Sequence, residues 1–138
     1  MVKVIMGLKG EGKTKKLIDH VKAELDKDRG DVVVIEKDAV LTYDIPHKAR
    51  LVKLSDYKDS GAGYDLLRGF ICGLRAGNYD IIHIFMDSIT KLSGNKSLED
   101  AEAFLNWCEA FSAREGVDFT VTLSADSSQA TDGIKKYF

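Results

Sequence analysis

Apolar and polar positions alternate between short strand-like blocks and helical stripes. Val2–Met6, apolar except for Lys3 and ended by Gly7, predicts a short buried strand. From Lys13 the spacing changes. Leu17, Val21 and Leu25 recur every four residues with Ile18 beside them and charges elsewhere, which predicts an amphipathic helix. Lys27-Asp28-Arg29-Gly30 is expected to end it, with Gly30 in the usual C-terminal glycine place. Val32-Val33-Val34-Ile35 is apolar without interruption, as in a strand covered on both faces of a parallel sheet. Leu41–Asp44 and Pro46 suggest an extended or turning stretch, Leu51–Leu54 another strand, and Ser60–Gly63 a loop. Leu66, Phe70 and Leu74, flanked by Leu67 and Ile71, predict a second helix stopping at Gly77-Asn78. Ile81–Met86 is the most hydrophobic strand, closed by Asp87 and followed by a loop to Asn95. Ser97 and Asp100 form a weak capping box for a helix carrying Leu98, Ala101, Leu105, Cys108 and Phe111 up to Gly116. Phe119–Leu123 is the last strand, and Ser127–Phe138 a short helix or tail.

Strands that alternate with helices predict an α/β fold, three-layer and doubly wound around a mostly parallel sheet. The 138 residues contain no repeat or linker and read as one domain, 1–138. The N-terminus lacks a signal-peptide pattern and no run is long enough to span a membrane, so a cytoplasmic protein is expected. A net charge of −2 gives no overall pull toward nucleic acid or an anionic membrane. Cys72 and Cys108 lie in apolar helical patterns and read as reduced core thiols.

The chemistry is concentrated in Gly7-Leu8-Lys9-Gly10-Glu11-Gly12-Lys13-Thr14, which matches G-x-x-x-x-G-K-[ST] between a buried strand and an amphipathic helix. By composition the bare pattern arises in about one chain of this length in two hundred, and the strand–helix context is rarer still. Gly7, Gly10 and Gly12 let the backbone curl with its N–H groups inward, making an anion cradle at a helix N-terminus. Lys13 would reach the β- and γ-phosphates of ATP, and the Thr14 hydroxyl would ligate Mg²⁺. Lys9 is either a further phosphate contact or a solvated side chain. Asp87, ending an apolar strand, is placed to complete the Mg²⁺ site with Thr14. Ser88 stands where many ATPases carry a catalytic glutamate.

In this order of elements the chain resembles the RecA-like ATPase core of the P-loop NTPase fold. The likeness rests on the phosphate loop, the strand ending in Glu36 and Asp38, the strand ending in Asp87-Ser88, and the strand ending in Ser124. It implies that Glu36 or Asp38 orients or deprotonates the attacking water and that Ser124 senses the γ-phosphate. By the same likeness Gly7, Lys9, Gly10, Glu11, Gly12, Lys13, Thr14 and Ser124 contact the nucleotide. The loop also resembles that of short bacterial proteins named as twitching-motility (pilus-retraction) ATPases, and the likeness to those motors is confined to the nucleotide core.

The remaining candidates read as structural. His20, His47 and His83 show no metal spacing with the cysteines, and His83, inside an apolar strand, reads as a hydrogen-bonded core histidine. Phe104, Trp107 and Phe111 recur at core spacing, while Arg50, Arg68, Arg75 and Arg114 read as salt-bridged surface residues. The first functional expectation is an Mg²⁺-dependent ATPase, acting alone or faster in a homo-oligomer or with a protein partner. A small nucleotide or nucleoside kinase and a non-hydrolysing nucleotide switch are the alternatives.

Overall fold

The computed structural model describes residues 1–38, 44–57 and 63–138. Strands β1 (Val2–Gly7), β2 (Asp31–Glu36), β3 (Arg50–Lys53), β4 (Ile81–Met86) and β5 (Asp118–Ser124) form one sheet in the order β1-β5-β4-β2-β3. Every neighbouring pair is parallel. The helices are α1 (Lys13–Asp26), α2 (Gly63–Gly77), α3 (Ile89–Ser93), α4 (Leu98–Glu115) and α5 (Asp132–Lys135). Among the described residues no helix is long and apolar enough to cross a membrane.

The uninterrupted apolar run of β2 is explained by two cores. Val32 and Val34 pack with Leu17 and Val21 of α1 on one face, while Val33 and Ile35 pack with Leu67, Ile71 and Phe104 on the other. Helices therefore cover both faces, in the three-layer arrangement expected from the alternation. Leu17 and Val21 are fully buried, worth about 1.5–3 kcal/mol each.

Several local expectations shift. In α2 the deepest residues are Tyr64, Leu67 and Ile71, whereas Leu66, Phe70 and Leu74 are only partly buried. Both rows are apolar, so periodicity defines a broad face but not its centre. The expected loop after Asp87 contains α3, too short for its period to register. At the end of α1 the left-handed residue is Asp28 (φ 49°), not Gly30. Gly30 instead lies against β4, where a Cβ would come within 2.7 Å of the Asp80 carbonyl oxygen and of Ile82. Cys72 is exposed rather than in the core, and burial raises the pKa of the Cys108 thiol. The Ser97 cap forms, but its reciprocal half differs. Asn95, not the Asp100 side chain, accepts the Ser97 N–H. Leu41–Asp44 and Ser60–Gly63 fall largely outside the described residues.

Candidate functional site

Parallel pairing in register brings the motif ends together. Gly7 pairs with Ser124, and Met86 with Val121, so the residues after β1, β4 and the end of β5 share the carboxyl edge of the sheet. Ligands gather at that edge in doubly wound folds. Gly10 (φ 88°) and Gly12 (φ 82°) hold left-handed conformations that side chains resist. Gly12 caps α1 without a side chain, and the first turn of α1 carries no acidic residue. The positive end of this 14-residue helix therefore faces the loop uncompensated. Lys13 folds back over the loop, its Nζ donating to the Leu8 carbonyl at 2.9 Å.

The loop opens on a cleft of about 480 Å³, lined by Lys9, Gly10, Gly12, Lys13, Thr14 and Ser124 of the expected set together with Asp87. The Thr14 hydroxyl lies 3.5 Å from both Asp87 carboxylate oxygens. A hydroxyl and a carboxylate facing each other are hard oxygen donors of the kind Mg²⁺ takes.

Not all expected residues converge. Glu11 turns its carboxylate back toward the Cα of Gly7 rather than lining the cleft. Glu36, 3% exposed, and Asp38, exposed, end a strand that neighbours β4 but also stay outside the cleft lining.

Three residues outside the expected set also line it, Ser88, Lys91 and Thr122. Thr122, fully buried, accepts the Ser88 N–H at 2.6 Å and donates to Asp87 Oδ1 at 2.8 Å. The Ser88 hydroxyl in turn lies 3.2 Å from that of Ser124. A signal for Thr122 existed in the sequence. Hydroxyls at 120 and 122, set between the apolar residues Phe119, Val121 and Leu123, need buried partners.

Thr120 finds its partner below the cleft. His83 contacts Glu24 through Nδ1 at 2.7 Å and Thr120 through Nε2 at 2.8 Å, as expected of a core histidine. Burial would raise the Glu24 pKa, but hydrogen bonds from Arg29 and His83 override it and hold the carboxyl down at about 2. Burial also keeps His83 below its ordinary value, with Glu24 opposing. Glu24, His83 and Asp118 lie within 4.8 Å of one another, a spacing a metal could use. Arg29 pairs with both carboxylates there, so the group is already neutralised as an ion-pair network.

Of the four arginines expected to be salt-bridged, three are, and Arg50 has no ion pair among the described residues. Arg68 pairs with Asp65, and Arg75 and Arg114 both pair with Glu115. Phe104, Trp107 and Phe111, all on α4, stack in series. The chain matches no protein-family model and no curated protein among those compared with it.

Proposed function

We propose that the chain is an Mg²⁺-dependent, ATP-binding P-loop protein of RecA-like type that hydrolyses ATP. The observation that carries this reading is the juxtaposition of the Thr14 hydroxyl and the Asp87 carboxylate at 3.5 Å beside a glycine loop opening a helix. A helix start without an acidic first turn or side-chain cap favours an anionic ligand there, and Lys13 adds positive charge. Thr14 and Asp87 would hold Mg²⁺, which when bound would neutralise phosphate charge. Ser124, whose hydroxyl lies within hydrogen-bond distance of that of Ser88, would sense the terminal phosphate. Glu36 or Asp38 would serve the attacking water.

A second reading, a nucleotide switch without turnover, is favoured by the exclusion of Glu36 and Asp38 from the cleft lining and by a serine at position 88. A hydroxyl is too weak a base at neutral pH to activate water.

Calorimetric titration with ATP and Mg²⁺, followed by phosphate release with and without nucleoside acceptors, separates ATPase, kinase and switch. Lys13→Ala is expected to weaken ATP binding by about tenfold or more, and Asp87→Asn to weaken its dependence on Mg²⁺. Unchanged affinity in Lys13→Ala, or ATP binding indifferent to EDTA, would refute the reading.

A further inference from the structure

We propose that Lys91 is a further phosphate-binding residue of this cleft, contacting the terminal phosphate of a bound nucleoside triphosphate. The inference rests on the proposed nucleotide site and adds a further cationic contact to the phosphate that only a triphosphate carries.

The argument starts from α3, which is fixed on every side but one. Of its five residues Ile89 and Leu92 are fully buried, and Thr90 and Ser93 nearly so; Lys91 alone is exposed. The helix is locked at both ends. At its start Ser88 takes a left-handed conformation (φ 56°), of a kind that costs on the order of 1–3 kcal/mol in a non-glycine residue. It is held there by its N–H bond to Thr122, and its carbonyl accepts the N–H groups of both Lys91 and Leu92 at 3.0 Å. At its end Gly94 turns left-handed and Ser93 Oγ closes back on the Ile89 carbonyl at 2.8 Å. A five-residue helix anchored this way presents one side chain, and that side chain lines the cleft with Lys13, Thr14 and Asp87.

The charge balance of the cleft points the same way. Lys9, Lys13 and Lys91 line it against a single carboxylate, Asp87, in a chain whose net charge is −2. Among the described residues none of the three lysines has an ion-pair partner. Lys9 and Lys13 come from the phosphate loop, whereas Lys91 enters from the strand ends that carry Asp87 and Ser88. The loop and α1 hold the inner phosphates. Lys91, which reaches the same cleft from a different element, would meet the outermost one, supplied within the chain rather than by a partner.

The test compares nucleotides by calorimetry, with a non-hydrolysable ATP analogue and ADP, both with Mg²⁺, so that turnover plays no part. Lys91→Ala is expected to weaken the triphosphate about tenfold while leaving ADP within about twofold, because one charge-assisted contact is lost. Lys91→Arg should restore most of the triphosphate preference. The residue is exposed, and thermal melts should show the variants folded like the parent. An equal loss for both nucleotides, or no loss for either, overturns the proposal and leaves the nucleotide site standing. If the parent chain binds neither nucleotide, or Lys13→Ala binds both as the parent does, the site itself is refuted and this proposal falls with it.

Discussion

Thr122→Val is the most informative single change, because valine keeps the shape of threonine and removes only the hydroxyl. In the folded chain that hydroxyl accepts from the Ser88 N–H at 2.6 Å and donates to Asp87 Oδ1 at 2.8 Å. Both Thr122 and Ser88 are buried. Without the hydroxyl the Ser88 N–H is left unpaired, which costs about 1–3 kcal/mol. Asp87 is partly exposed, so water partly replaces its lost donor and the further cost is about 1 kcal/mol. The total of about 2–4 kcal/mol should lower the melting temperature by on the order of 10 °C in a domain of this size. Thr122→Ser keeps the hydroxyl and loses one methyl, about 1 kcal/mol. Urea unfolding of the pair therefore isolates the bridge from the packing. The same variants carry a functional readout. A carboxylate without its orienting partner should bind Mg²⁺ about 10- to 100-fold more weakly, seen as weaker Mg²⁺-dependent ATP binding in Thr122→Val and not in Thr122→Ser. Equal unfolding midpoints for the two variants would refute the bridging role.

Glu36→Gln or Asp38→Asn should cut ATP turnover at least about tenfold with ATP affinity nearly unchanged, if either serves the attacking water. Wild-type hydrolysis by the double variant would exclude both, and absence of hydrolysis in the parent would favour the switch. Stability should fall with pH in two stages. His83 sits below its ordinary value of 6.5, so the unfolded chain takes up its proton first and stability declines as pH drops below about 6.5. Glu24, held at about 2 against an ordinary 4.5, contributes stability that is complete above pH 4.5 and lost as pH falls toward 2. Denaturant midpoints from pH 7 to pH 4.5 should flatten in His83→Gln, and an unaltered slope would refute the assignment.

Much of this architecture is legible in the sequence because it depends on local pattern. The uninterrupted run Val32–Ile35 announces a strand buried on two faces, and both cores meet there. The loop Gly7–Thr14 announces its own curl, since Gly10 and Gly12 take the left-handed conformations such a turn demands. Pairs close in sequence are also readable, as with the Ser97 hydroxyl accepting from Asp100 N. Pairing between distant segments is not readable, because strand order and register follow from how two apolar faces are best covered at once. Only the order β1-β5-β4-β2-β3 brings Asp87 to Thr14, 73 residues earlier, and to Thr122, 35 residues later. It likewise turns the isolated His83, Glu24 and Thr120 into one network. Short elements escape for a different reason. The five residues of α3 have too little length to display a period, and their burial depends on β5 and α2 closing around them. The direction of Lys91 follows from that enclosure, so no reading of the chain alone could have placed it.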